Sequence, residues 1–333
     1  MQRLLIIWFG QTVSMLGSTM TSFALSLWIF EETGSATSLV LTMLVHFLPL
    51  VALSLYAGVI VDRFSRRRIM IYSDIAAALL SVMLLYLFIN GLQVWHIYTI
   101  ILLSSPFKYI QNLAYEASFA MMVERKDYVR AGSLGALTRY SVAILGPAFA
   151  APLYLTIGLG GIIIIDLITF LLAVIPLLII PIANPTPVTT RRTRLQQIRD
   201  GFAILRHHPM LMWLLVFHAG FEFFQVIGQS VKTPMILART DSDPAVLAAV
   251  SVASGVGGIL AALFMSTWGG GRVRRLTLYV YSSIGAAIGK ILHGMSQVPT
   301  AWVGTQLFTS TNFPAQEGAY RAIWMEEIEA GTQ

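Results

Sequence analysis

The chain has 333 residues, of which 56% are hydrophobic and only 11% are charged, and its mean hydropathy is +0.73. Soluble domains carry about 25% charged residues, so this composition excludes an ordinary soluble domain. The sequence contains no cysteine, which excludes disulfide bonds and cysteine-based metal sites.

Ten stretches of mostly apolar residues follow one another along the chain. A helix needs about twenty apolar residues to cross a hydrocarbon layer of about 30 Å, and only internal hydrogen bonds can satisfy its backbone there. We therefore predict an all-α, polytopic membrane protein. The ten spans are expected near residues 4–30, 38–61, 69–89, 96–118, 134–155, 161–183, 210–231, 245–267, 276–294 and 300–318.

Basic residues concentrate in alternate loops between these stretches, as the positive-inside rule describes. With the N-terminus in the cytoplasm, 18 of the 22 Lys and Arg residues fall on the cytoplasmic side, and the outer loops hold only Lys232 and Arg239. The pattern predicts a multi-pass protein of the plasma (inner) membrane with a cytoplasmic N-terminus. It also accounts for the net charge of +6 without a nucleic-acid partner.

A polar segment, residues 184–208, divides the apolar stretches into two groups. It contains Pro185, Pro187 and five arginines, which favours a cytoplasmic linker between an N-terminal bundle (1–183) and a C-terminal bundle (209–333). The two groups resemble each other, because the start of the third stretch is repeated at the start of the ninth. We predict two pseudo-repeated bundles, six helices plus about four of an expected six, and thus an incomplete copy of a twelve-helix protein.

The loop between the second and third stretches reads Gly58-Val59-Ile60-Val61-Asp62-Arg63-Phe64-Ser65-Arg66-Arg67-Arg68. It resembles the Gly-x-x-x-Asp-Arg-x-x-Arg-Arg/Lys loop of the major facilitator superfamily. Other stretches are similar to the macrolide-efflux-like drug:proton antiporter branch of that family. They are Trp8 to Gln11 with Ser14 and Gly17, Ile69 to Ile71 with Ser73 and Asp74, Ala114 and Tyr115, Gly146 and Pro147, Asp166 with Thr169 and Phe170, and Arg321 to Trp324.

The resemblance implies a transporter that needs no cofactor and that exports an amphipathic small molecule in exchange for protons. Substrate would bind between the bundles, and the loop Gly58, Asp62, Arg63, Arg66 and Arg67 would act in gating. Gly58 would allow close helix approach, and Asp62 would pair with Arg63 or Arg66 or contact a neighbouring helix end. In the family this contact is with the start of an eleventh helix. The alternative is that the arginines only anchor topology.

Polar side chains recur on one face of the first and seventh stretches. Residues three or four apart share one face of a helix. In the first stretch these residues are Gln11, Ser14 and Ser18. In the seventh stretch they are His218, Glu222, Gln225 and Gln229. Because polar groups in the membrane usually face a cavity, we predict that both faces line a substrate path to which Asn112 also contributes. The alternative is helix packing through side-chain hydrogen bonds.

Ionisable residues inside the stretches are proton-coupling candidates. Glu222 lies near mid-helix, where an ionised carboxylate costs about 2.5–3.5 kcal/mol, and His218 is its expected hydrogen-bond partner. Glu116, with Lys108 and Asn112, forms a second polar stripe that could instead serve packing. We expect Asp166 either to couple protons or to have a structural role. Asp74 is expected to support the loop motif. Lys290 and His293 are expected to snorkel to the membrane interface.

The Gly146-Pro147 pair resembles the core of an antiporter signature in the fifth helix, although a simple proline kink is an equal alternative. We find no zinc-helix pair, phosphate-binding loop or nucleophile elbow, so no enzyme and no bound metal are expected. Transport would then use an ion gradient. Two further hypotheses remain open: a transporter of lysophospholipid or other lipids, and a truncated membrane protein that does not transport.

Overall fold

The computed structural model describes residues 2–121, 128–180, 209–268 and 273–330, and throughout these ranges the chain is helical, without strands. The all-α prediction is therefore confirmed. The helices are α1 (Gln2–Thr33), α2 (Ala36–Arg63), α3 (Arg66–Gly91), α4 (Val94–Met121), a run Tyr128–Ile179 that holds α5 and α6, α7 (Pro209–Arg239), α8 (Pro244–Trp268), α9 (Arg275–Met295), α10 (Pro299–Thr311) and α11 (Phe313–Ala330).

Glycines with positive φ lie at helix ends in this fold, and two of them separate α1 from α2 and α5 from α6. Gly34 adopts φ +58° directly after α1 and its N–H donates to Phe30 O at 2.8 Å, a left-handed cap that glycine forms without a Cβ clash. Ser35 then caps α2 by accepting from the Ser38 N–H. Gly158, at φ +66°, interrupts the run Tyr128–Ile179 and separates α5 (128–157) from α6 (159–179).

The tenth predicted span is divided in the structure. α10 ends at Thr311, Asn312 lies between the helices, and α11 begins at Phe313 with Pro314 in its first turn. Proline lacks a backbone N–H and disturbs the preceding helical turn, which explains why the polar C-terminal part forms a helix of its own.

Six helical stretches among the described residues are long and apolar enough to cross a membrane. One of them, Thr138–Ile179, holds both α5 and α6, so seven of the ten predicted spans meet this condition. The other three predicted spans, α4, α9 and α10, are helical but more polar, and α10 has only 13 residues. Their polar residues include several that matter for the site below.

The described chain divides into two compact units. The first contains α1 to α6 together with Thr233–Val252, and the second contains α7 up to Lys232 and the helical segments from Ala253 onwards. The predicted linker, 184–208, lies outside the described residues. The predicted boundaries therefore stay a prediction, and they differ from the contact-defined units in the segment Thr233–Val252.

Each unit has its own apolar core. The first core joins α1, α2, α3, α4 and α6, and the second joins α7, α9 and α11 around the fully buried Tyr279. Large apolar side chains also cover the outside of the helices; Ile89 and Trp213, for example, are 74% and 73% exposed. Such surfaces are stable only in contact with lipid, in agreement with a membrane-embedded fold.

Candidate functional site

A cavity of about 310 Å³ lies inside the first unit. Its wall is mainly polar on α1 and α4, and four predicted path residues, Gln11, Ser14, Ser18 and Asn112, contribute to it. The remaining lining residues are Met15, Thr19, Ser22, His46, Ser73, Asp74, Ala77, Ile101, Ser104, Ser105, Lys108, Gln111 and Phe170. The polar face predicted for the first helix thus faces a cavity.

A chain of hydrogen bonds connects three helices across this cavity. Gln111 Nε2 on α4 donates to Gln11 Oε1, and Gln11 Nε2 on α1 donates to Asp74 Oδ2 on α3 at 3.2 Å. Gln11 is 3% exposed and Asp74 is 5% exposed. These contacts do not connect Asp74 to the loop motif that it was expected to support: its carboxylate lines the cavity and accepts a hydrogen bond from Gln11.

Asp166 on α6 lies deeper in the same unit and is only 1% exposed. Ser18 Oγ donates to its Oδ1 at 3.2 Å, and its charge and that of Lys108 on the cavity wall attract each other. Asp166 therefore has both a hydroxyl donor and a cation nearby, as a buried carboxylate requires.

His46 and Ser105 form a further polar contact of the cavity wall. His46 Nδ1 lies 2.8 Å from Ser105 Oγ, and Ser105 Oγ donates to Ile101 O at 2.7 Å. Since the single hydroxyl proton is used for Ile101 O, the geometry assigns the donating proton to His46 Nδ1. His46 is thus a polar wall residue of the cavity.

The second polar stripe on α4 is only partly formed. Asn112 Nδ2 donates to Glu116 Oε1 at 3.4 Å, and both side chains are exposed. The charge of Lys108 interacts instead with Asp166. Glu116, a proton-coupling candidate, is thus exposed and does not line the cavity.

In the second unit, His218 contacts aromatic residues. Its Nδ1 shares a 2.9 Å hydrogen bond with Tyr279 Oη on α9, and its ring stacks on Tyr320 of α11 at 4.1 Å between centroids. The predicted hydrogen bond from His218 to Glu222 is therefore wrong, since the buried Tyr279 hydroxyl needs a partner and lies within reach on the neighbouring helix.

Lys290 on α9 contacts α7. Its Nζ donates to Gln225 O at 2.7 Å beside Gly228, and its charge is attracted by Glu222. His293 is 6% exposed and shares a 3.0 Å hydrogen bond with Thr305 Oγ1. The expectation that Lys290 and His293 snorkel is wrong, because both find polar partners inside the unit.

The polar stripe predicted on α7 divides in the structure. Glu222 and Gln229 are exposed, whereas Gln225 is 8% exposed and its amide atoms find no hydrogen-bond partner among the described residues. Lys232 and Arg239, expected in an outer loop, both lie within α7. The helix is longer at its C-terminal end than the apolar run indicated.

The arginines of the loop motif bind helix ends within the first unit. Arg67 donates through Nε to Leu177 O and through Nη2 to Leu178 O, each at 2.6 Å, and Arg66 Nη1 donates to Ala117 O at 2.9 Å. These carbonyls lie near the C-terminal ends of α6 and α4, and helix C-termini attract cations.

Two other expectations about the loop stay predictions. A Cβ at Gly58 would meet no described atom within 4 Å, and the close helix approach at Gly58 stays a prediction. The side chains of Asp62 and Arg63 lie outside the described part of the chain, and their pairing stays a prediction.

The predicted kink at Gly146 and Pro147 is not a break in the backbone. The non-helical torsion in this run is at Gly158. Gly146 instead permits close packing, because a Cβ there would lie 2.6 Å from Thr19 Cγ2 on α1. The small residue therefore brings α5 against α1.

Three features are typical of a membrane transporter: apolar helices of membrane-spanning length, repeated segments and a polar cavity among the helices. The sequence matches the Major Facilitator Superfamily over residues 7–330, and the chain belongs to this family. It is thus a transporter and not an enzyme, as predicted.

Two relatives in different organisms carry the same name. The chain is 27% identical over 342 residues to Macrolide efflux protein A of Streptococcus pyogenes, covering 97% of this chain and 81% of that protein. It is also 27% identical over 315 residues to Macrolide efflux protein A of Enterococcus faecalis, covering 89% of this chain and 93% of that protein. The predicted branch resemblance is confirmed by these relatives.

Solved structures show the same fold. A bacterial homologue of the human lysosomal transporter Spinster, in an inward-facing and unoccupied conformation, matches with a TM-score of 0.68 at 14% identity, covering 97% of this chain and 74% of that one. The xylose transporter XylE from E. coli, in an inward-open conformation, matches with a TM-score of 0.62 at 14% identity, covering 94% and 79%. At this identity the likeness concerns the fold.

Proposed function

We propose that this transporter exports amphipathic small molecules of the macrolide type from the cytoplasm in exchange for protons. The observation that carries the proposal is the cavity of the first unit, which combines polar groups with Met15, Ile101 and Phe170. Such a wall suits a ligand with both apolar and hydrogen-bonding surfaces. The two relatives named Macrolide efflux protein A support the choice of substrate class.

The substrate path in this proposal includes the polar faces of α1 and α7. In the first unit Gln11, Ser14, Ser18 and Asn112 offer hydrogen-bonding groups to the cavity. The corresponding residues of the second unit are His218, Glu222, Gln225 and Gln229. A substrate crosses by alternating access, in which each conformation exposes the path to one side of the membrane.

Gating in this proposal uses the loop between α2 and α3. Arg66 and Arg67 hold the ends of α4 and α6, so the loop moves together with these helices. Gly58, Asp62 and Arg63 complete the loop, and Gly146 and Pro147 provide the packing surface of α5 against α1. Changes at the loop should therefore alter the conformational equilibrium more than substrate affinity.

The proton-coupling residues in this proposal are Asp166, Glu222 and Glu116. Asp166 and Glu222 each interact with a lysine, Lys108 and Lys290 respectively. Protonation of either carboxylate would end its attraction to the lysine. The contacts of the lysine with the neighbouring helix would then depend on the protonation state. Glu116 is the exposed alternative.

The test is transport into inverted membrane vesicles from cells that express the chain. An acid-inside pH gradient should drive accumulation of a radiolabelled macrolide, and a protonophore should abolish it. Vesicles from cells without the gene provide the baseline, and a labelled lysophospholipid tests the lipid alternative. The proposal is wrong if accumulation of macrolides and of cationic dyes equals that baseline while the chain is present in the membrane.

A further inference from the structure

Asp74 differs from the other buried carboxylate of the cavity region in its surroundings. Asp166 is attracted by Lys108. Asp74 receives a hydrogen bond from the neutral Gln11 amide at 3.2 Å. An ionised carboxylate that is 5% exposed and has one neutral donor is poorly compensated.

The cavity nevertheless gives Asp74 a route for exchange with water. Asp74 and its neighbour Ser73 both line it, and Ser14 faces it from α1. The titratable or charged groups on the same wall are His46 of α2 and Lys108 of α4, while Asp166 of α6 contacts Ser18. Of these groups, Lys108 attracts Asp166 and His46 binds Ser105.

We infer that Asp74 is a proton-binding site, placed between α1 and α3, whose ionisation state is sensed by the hydrogen-bond chain through Gln11 to Gln111. Gln11 uses both ends of its amide, its N–H toward Asp74 and its carbonyl toward Gln111 of α4. An ionised Asp74 therefore holds the amide in one orientation. A protonated Asp74 is a weaker acceptor and carries an O–H that needs an acceptor.

The residue of the second repeat that corresponds to Gln11 supports a role for Gln11 in connecting helices. Arg67 and Arg274 begin the repeated sequence, and the same offset relates Gln11 to His218. His218 binds Tyr279 on α9, as Gln11 binds Asp74 on α3. The first and third helices of each repeat thus share a polar contact. The contact in the first unit includes a carboxylate, which can take up a proton.

The inference rests on the proposed function for its physiological meaning, but proton binding itself can be measured without transport. The 333-residue chain is reconstituted in lipid nanodiscs, and pH-difference infrared spectra record the carbonyl stretch of protonated carboxyl groups. Asp74→Asn should remove one titrating band. Asp166→Asn is the matched control and should leave that band in place, because Asp166 accepts from Ser18 and Asp74 accepts from Gln11.

A second variant keeps the carboxyl group, in case Asp74→Asn fails to fold. Gln11→Ala removes the donor to Asp74, so the band should remain but move to higher frequency. Unchanged spectra in both variants, or loss of the band in Asp166→Asn alone, would overturn the inference. Removal of the band by NaCl at constant pH would overturn it as well, because the site would then bind a metal cation.

The two proposals can fail separately. A band that depends on Asp74 in a chain that accumulates no substrate would contradict the proposed function and retain the proton site. Transport driven by a pH gradient, with the band unaffected by Asp74→Asn, would retain the function and reject Asp74.

Discussion

At the level of single residues, the charge of Lys108 attracts the buried carboxylate of Asp166. Lys108→Met should lower the midpoint of thermal unfolding in detergent, because Asp166 is then left buried without a cation. The loss should be smaller than the about 3–5 kcal/mol typical of fully buried pairs, since Lys108 faces an open cavity.

The double variant decides whether charge is the cause. Lys108→Met with Asp166→Asn should regain most of the lost stability, and Asp166→Asn alone provides the reference. If the double variant melts no higher than Lys108→Met, the lysine acts through packing and the charge pair has no importance for stability.

The polar face of α1 was visible in the sequence because one helix supplies the whole pattern. The spacing of Gln11, Ser14 and Ser18 was sufficient to predict a polar face, and the cavity contains all three. The partner of His218 could not be predicted, because Tyr279 lies on another helix. Asp74 could have been recognised as an ionisable residue inside an apolar run, but its contact with Gln11 joins two different helices, α3 and α1.

At the level of elements, α1 packs against α6 through a glycine. A Cβ at Gly10 would lie 2.6 Å from Leu172 O, which is backbone and cannot turn away. Gly10→Ala should therefore destabilise the first unit by about 1–3 kcal/mol, the usual cost of overpacking.

Gly304→Ala on α10 is the matched control, because a Cβ there meets no described atom within 4 Å. Alanine is the better helix former, so this control should keep or slightly raise the unfolding midpoint. Equal midpoints for Gly10→Ala and Gly304→Ala would show that the close approach of α1 and α6 is unimportant.

Arg67 connects α3 to the end of α6. Arg67→Ala removes two hydrogen bonds to Leu177 O and Leu178 O and should cost about 1.5–3 kcal/mol, as expected for bonds that involve a charged group. Arg67→Lys keeps the charge but not the planar fork, and should recover only part of the stability. Full recovery in Arg67→Lys would assign the effect to charge and topology alone.

Helix boundaries show which signals the sequence carries. The apolar runs predicted the helices α1 to α10, since burial in lipid requires such runs, but they did not predict α11 as a separate helix. They did not predict that α7 continues through Lys232 and Arg239, because a helix can extend beyond the hydrocarbon. The break at Asn312 follows from Pro314, a signal that was present in the sequence but lay within an expected span.

At the level of the whole molecule, the distribution of charge predicts the orientation in the membrane. The sequence has no cysteine, so single cysteines can report it. Gln297→Cys, between α9 and α10, should react with a membrane-impermeant maleimide on intact cells. Ser65→Cys, between α2 and α3, should react only after permeabilisation. The opposite labelling pattern would reverse the predicted topology.

The central claim is that substrate and protons move in opposite directions through this protein. The purified protein is reconstituted in liposomes that contain a pH-sensitive dye, and no pH gradient is imposed. A radiolabelled macrolide is then added outside the liposomes. Because the macrolide's own amine carries protons passively, protein-free liposomes give the baseline. Antiport predicts macrolide uptake with alkalinisation of the lumen above that baseline and in proportion to uptake. Protein-dependent uptake with an unchanged or more acidic lumen would contradict exchange for protons.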